Sequence, residues 1–200
     1  MSRYNKHPFA RGKSAYQNQN TADWDITSLA HLEGQKVYLS NTAPATPTAR
    51  RNGIDVVAVV VRNNSGALLT PGTALWWKTG YHGTRVDASA ATDNSPICGF
   101  VDDHVVSTGV QDNDLFYMII EGPCLVRTHD SGTVHAGSSY VEGGLLVAST
   151  SAGEVHAHAV TADADGADAD TVWNCVARVI DTTLKTIASG NCLATVKIPL

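Results

Sequence analysis

The sequence has no excess of basic charge. Its 14 Lys and Arg stand against 19 Asp and Glu, for a formal net charge of -5. Such a surface lacks the cationic footprint that contacts to a phosphate backbone require, which argues against nucleic acid as a partner. No apolar run reaches the length of about 18 residues that a membrane-spanning helix needs, so no membrane partner is expected. Residues 1–8 lead into Asn- and Gln-rich sequence rather than the apolar stretch of a secretory signal. The expectation is a soluble chain made in a cytoplasm.

Cysteine is sparse and scattered. Cys98, Cys124, Cys175 and Cys192 never form a CxxC pair, which argues against both a zinc module and a disulfide scaffold and leaves small buried thiols as the expected role. A phosphate-cradling glycine loop, a dinucleotide fingerprint and a pair of catalytic glutamates are all missing. Sustained 3.6-residue periodicity is missing too beyond residue 53, and with it the signal for long amphipathic helices.

What the chain does have is apolar content, 43% of its residues, enough for one sizeable core and too much for a disordered polymer. The first 22 residues stand apart. They carry Arg3, Lys6, Arg11 and Lys13 without any acidic residue, and their polar composition cannot drive collapse. A short helix is expected next, capped by Thr21 or Asp23, with Trp24, Ile26, Leu29, Ala30 and Leu32 on its apolar side and Gly34 ending it. Residues 36–39 alternate like a first strand, and 41–52, with two prolines and no large apolar group, read as an extended linker. Residues 1–52 are therefore expected to form an extended N-terminal arm with a short helix and strand, followed by one β-domain over 53–200.

In that second part, short β-branched runs recur about every ten residues between Gly, Pro, Asn and Asp, the signal for an all-β barrel or sandwich. Strands are expected over 54–62, 73–78, 97–102, 115–121, 124–128, 139–141, 145–148, 155–160, 171–181 and 193–198. Their spacing is too tight for crossover helices, so mostly antiparallel pairing follows. The unbroken apolar run 56–61 is expected to be central, while 155–160 alternates and should have one wet face. Turns are expected at Asn64-Ser65-Gly66, Pro71-Gly72, Glu142-Gly143-Gly144 and Ser189-Gly190-Asn191, and the apolar residues near the C-terminus suggest a last strand held in the sheet.

Four constellations bear on chemistry. His129-Asp130-Ser131-Gly132-Thr133 contains the Asp-Ser-Gly of retroviral-type aspartic proteases, but Thr128 and His129 stand where those enzymes place apolar residues, so a polar turn is the better reading. A serine-protease loop would need a base and an orienting carboxylate from elsewhere, such as His104 and Asp102 or Asp103. His156 and His158 share one strand face and can offer two imidazoles to a metal, with His129 or His135 as recruits, yet solvent-facing histidines explain the pattern. The run 163–170, rich in Asp, lacks the register and flanking helices of an EF-hand and reads as a solvated loop. Trp76 and Trp77 are adjacent in a strand, so their rings point to opposite faces; one of them, with Tyr81 and Trp173, can form an aromatic contact surface.

The series Gly66-Ala67-Leu68-Leu69-Thr70-Pro71-Gly72-Thr73-Ala74-Leu75, Ile97-Cys98-Gly99-Phe100-Val101, residues 115–121 before Gly122-Pro123, Gly143-Gly144-Leu145-Leu146-Val147, Val176-Ala177-Arg178-Val179-Ile180 and Val196-Lys197-Ile198 spans about three quarters of the chain. Its layout resembles the small β-barrel decoration, or cement, proteins of tailed-phage capsids. The resemblance implies a non-enzymatic viral structural protein on the outer capsid surface of the virion, often a homotrimer at threefold positions, clamping neighbouring major capsid protein subunits against internal DNA pressure. It implies no active site and no cofactor. The N-terminal arm is longer than in the smallest members and suits a clamp that crosses subunit boundaries. Candidate partner-binding residues are Arg3, Lys6, Arg11, Lys13, Trp24, Trp76, Trp77 and Tyr81. The alternative is a phage tail or fibre module, or another carbohydrate-binding β-domain, with Trp76 or Trp77 and Tyr81 as its stacking row.

Overall fold

β-Branched residues lose little side-chain freedom in an extended backbone, and glycines with positive φ let such runs reverse direction. The computed structural model describes residues 32–39, 55–88, 96–102, 105, 109–129, 144–149, 151–157, 177–181 and 190–198, and its regular elements are all strands. They are β1 (Lys36–Leu39), β2 (Val56–Asn63), β3 (Ala74–Trp77), β4 (Arg85–Asp87), β5 (Gly99–Val101), β6 (Leu115–Thr128), β7 (Leu145–Ala148), β8 (Val155–Ala157), β9 (Ala177–Asp181) and β10 (Gly190–Lys197). The fold is all-β. Residues 21–31 of the expected helix before Gly34 and the expected strand over 139–141 lie outside the described residues, as do Asp130 and residues 163–170.

The long strand β6 is the spine. Its first half pairs with β2 and β5, and its second half pairs with β10 and meets β8 at Thr128. Followed strand by strand, the pairings close on themselves twice, as β2-β4-β3-β5-β6 back to β2 and as β6-β10-β9-β7-β8 back to β6. Pairing is antiparallel except between β2 and β4 and between β6 and β8. β1 lies outside both circuits and pairs with β2 alone among the described residues. The last strand is held between β6 and β9, and the Ile198 amide donates to the Ile120 carbonyl at 2.9 Å, as expected of a fixed C-terminal strand.

Residues 115–121 and 124–128, expected as two strands, are one. Gly122-Pro123 bends the strand without ending it: Val57 faces Glu121 while Ala58 faces Ile119, so Ile120 is the extra residue of a β-bulge. Gly122 adopts φ 103 beside it. The bulge and kink reset which side chains point inward. Tyr117 and Ile119 lie in the larger apolar cluster before the kink, and Cys124 and Val126 lie in the same cluster after it. A regular strand would have turned Leu125 and Arg127 to that side instead.

Two clusters form the core. Val59 and Val61 join Leu75, Val86, Phe116 and Met118 on one face; Val56, Ala58 and Val60 join Phe100, Tyr117 and Ile119 on the other, continuous with Leu146, Val179 and Ala194. β2 is thus buried on both faces, which is why its sequence is apolar without alternation. Trp76 belongs to one cluster and Trp77 packs against the other, on opposite faces as adjacent strand residues must be. Over the described part of the strand expected to have a wet face, Val155 is buried in the larger cluster and His156, on the opposite face, is only 6% exposed. β4 was not expected, since Arg85-Val86-Asp87 offers one apolar residue and pairs by tertiary contact with β2 and β3. Gly190, expected in a turn, begins β10 opposite Thr128.

The segment leading into β1 is bolted down. Leu32 and Leu39 are buried in the larger cluster, Gly34 at φ 85 turns the chain, and the Gly34 amide and the Gln35 carbonyl bond Val60 at 2.7 and 2.9 Å. Between these, the Glu33 carboxylate accepts from Arg62 and from Arg85, with the Glu33 and Arg62 side chains 6% and 4% exposed. Arg62 also donates to the Asn113 carbonyl at 2.6 Å.

Candidate functional site

The end of β6 and the tight turn joining β7 to β8 carry a connected cluster of polar side chains. The turn forms because the Ser149 amide donates to the Glu154 carbonyl and the Glu154 amide to the Ser151 carbonyl, with Gly153 at φ 72 between them. The parallel contact of Thr128 with Val155, extended by the His129 amide to the Val155 carbonyl at 2.8 Å, draws the turn alongside β6. Glu154 then lies between two partners. Its Oε1 accepts from Arg127 at 3.1 Å and its Oε2 lies 2.8 Å from His129 Nδ1. On the far side of the imidazole, Nε2 lies 3.3 Å from Ser151 Oγ. The tautomer that satisfies both contacts puts the proton on Nδ1, donating to Glu154, and leaves Nε2 to accept the Ser151 hydroxyl.

A groove of about 360 Å³ adjoins this cluster. Leu68, Leu69, Ala67 and Ala88 give it an apolar wall, and Arg127 and Ala152 form its border with the cluster. Leu68 is 48% exposed, a large aliphatic side chain facing solvent beside a charged one.

The chain matches no family model, and no curated protein matches it. Its chemistry therefore rests on its own residues.

The candidate partner-binding residues fall into two groups. Arg3, Lys6, Arg11, Lys13 and Trp24 lie outside the described residues. Trp76 is 8% exposed and is a core residue, with its indole Nε1 buried and without a partner among the described residues. Trp77 is half-buried against the smaller cluster. Tyr81 is exposed, but Arg85 lies over its ring at 4.3 Å from the centroid, so a cation already occupies one face of the ring. Trp76 and Trp77 thus lie on opposite faces of β3, and only one of the two can stand on the same side as Tyr81. The most exposed large hydrophobic side chain among the described residues is Tyr38 on β1, 75% exposed, which fits the alternation along 36–39.

Among the described residues, no three His, Cys, Asp or Glu side chains gather as a metal site. His156 is buried, and His158 and His135 lie outside the described residues. Cys98, Cys124 and Cys192 are buried, and burial pushes the Cys98 thiol far above its ordinary range, so it stays protonated and unreactive. The residues that sequence reasoning missed are Ser151 and Glu154. Twenty-odd positions separate them from His129, and only the β6–β8 pairing, too short to leave a pattern, brings them together.

Proposed function

We propose that this chain is a capsid decoration protein, a viral structural protein that binds the outer surface of a phage capsid as a homotrimer and stabilises contacts between major capsid protein subunits. The observation that carries this reading is the joint between the arm and the body. A clamp transmits load only if its reaching segment is fixed to something rigid, and here Leu32, Glu33 and Leu39 are buried in, or ion-paired to, a sheet whose pairings close twice. The sequence before that joint is basic and polar, suited to order on an acidic protein surface and cover a large area of it. Three copies add avidity without further contacts.

The sugar-binding alternative needs a stacking row of exposed aromatics. Trp76 in the core and Arg85 stacked on Tyr81 weigh against it. In the decoration reading, a chain that starts at Ala22 lacks Arg3, Lys6, Arg11 and Lys13, keeps the folded body, and binds capsids on the order of tenfold or more weakly as its contribution to multivalent attachment is lost. Equal binding by the shortened and full chains in a capsid titration removes the arm from the mechanism.

A further inference from the structure

We propose that Ser151, His129 and Glu154 form an acyl-transfer site that hydrolyses small esters with an aliphatic acyl group. The geometry has the parts that nucleophilic catalysis by a serine requires, in the order it requires them. A weak hydroxyl nucleophile needs a neutral imidazole within hydrogen-bond reach, and Ser151 Oγ lies 3.3 Å from His129 Nε2. The imidazole needs a carboxylate on its other nitrogen to hold the tautomer and stabilise the cation that forms, and Glu154 Oε2 is 2.8 Å from Nδ1. The carboxylate is itself oriented by Arg127 on its second oxygen. This order of contacts goes beyond what a polar turn needs, since the turn is already closed by its two backbone hydrogen bonds.

The surroundings fit the same chemistry. The amide of Ala152, the exposed residue after the nucleophile, donates to no backbone carbonyl among the described residues, and a backbone amide at that position is suited to receive the oxyanion of a tetrahedral intermediate. Ala152 also borders the groove, where Ala67, Leu68, Leu69 and Ala88 stand with the polar Ser65, Thr73, Asp87 and Arg127, a volume suited to a small acyl chain and not to a folded partner. In the first step Ser151 Oγ bonds to the ester carbonyl carbon as its proton passes to His129 Nε2. The intermediate then expels the alcohol, which leaves with that proton. Water attacks the acyl-serine with His129 again as base, releasing the carboxylic acid and restoring Ser151. Ser151 and His129 are the catalytic residues and Glu154 is a positioning residue.

The proposal stands apart from the decoration reading, since capsid binding and ester hydrolysis can each be lost without the other. The test uses the full chain with p-nitrophenyl acetate and butyrate and with a fluorophosphonate probe. The expected result is probe attached at Ser151 and hydrolysis that falls at least about a hundredfold in Ser151→Ala and in His129→Gln, the scale of general-base and nucleophile loss. Ser151→Ala leaves both backbone bonds of the turn in place, and an unchanged unfolding midpoint confirms that the fold is retained. Glu154→Gln lowers kcat with KM unchanged, and Glu154→Asp recovers part of that loss, a split that a merely structural contact does not produce. Equal rates for the unmodified chain and Ser151→Ala, or probe found elsewhere than Ser151, overturn the assignment and leave the cluster as a lock on the turn.

Discussion

Glu33→Ala destabilises the folded chain by about 3–5 kcal/mol, the usual consequence of removing one partner from a buried ion pair. Glu33 and Arg62 are both nearly inaccessible, and the Arg62 guanidinium also donates to the Asn113 carbonyl, so it cannot swing out to water when its counter-charge goes. Most of the loss comes from the uncompensated cation and not from the contact itself. The joint substitution Glu33→Leu with Arg62→Met removes both charges and is expected to cost far less than Glu33→Ala alone. Chemical denaturation of the two variants beside the unmodified chain reads this directly. Because the pair is shielded from solvent, the ordering of the variants persists at high salt, where a surface pair would lose its effect. Similar stabilities for Glu33→Ala and the unmodified chain would mean that the joint before β1 is not tied to the body.

The second large effect is at the kink. Gly122→Ala costs about 3 kcal/mol, combining a side chain at positive φ with a steric clash, and lowers the thermal midpoint by roughly 6–12 °C for a chain of this size. Gly122 sits at φ 103, and a Cβ there falls 2.8 Å from the Asp55 carbonyl oxygen and 2.9 Å from Val56 Cγ1. Neither neighbour can give way easily, because one is backbone and the other is a fully buried strand residue. Gly80 provides the control: it has φ 82 but open space where a Cβ would be placed. Gly80→Ala therefore isolates the dihedral cost, about 1 kcal/mol, and the difference between the two variants measures the clash.

Much of the sheet is legible in the sequence because burial and strand pattern coincide there. The unbroken Val56–Val61 run marks β2 as covered on both faces, the 145–148 run is β7 residue for residue, and alternation along 36–39 marks β1 with Tyr38 outward. The failures have physical causes. Gly122-Pro123 reads as a break between two strands because each residue alone is a poor strand former, yet a bulge at Ile120 lets the strand absorb both and continue to Thr128. Arg85-Val86-Asp87 has no pattern of its own and becomes β4 only because β2 and β3 offer it their edges. His156 alternates with alanines like a solvent-facing residue, yet it is nearly inaccessible in the folded chain.

The candidate site was the least legible part. His129 drew notice for its neighbours in sequence, Asp130 and Ser131, whereas its partners in space are Glu154 and Ser151. No local spacing encodes a contact made by two strands that touch at one residue pair. Barrel and sandwich were equally compatible with the strand spacing. The twofold closure of pairing through β6 depends on which half of that strand each neighbour chooses, and the register comes from the bulge and not from composition.

The decoration role is tested most directly by sedimenting the full chain with phage capsids stripped of their own decoration. The account predicts that the chain pellets with the capsids and saturates at a fixed, lattice-related ratio to the major capsid protein. A chain that stays in the supernatant at every concentration, with capsids in excess, contradicts it.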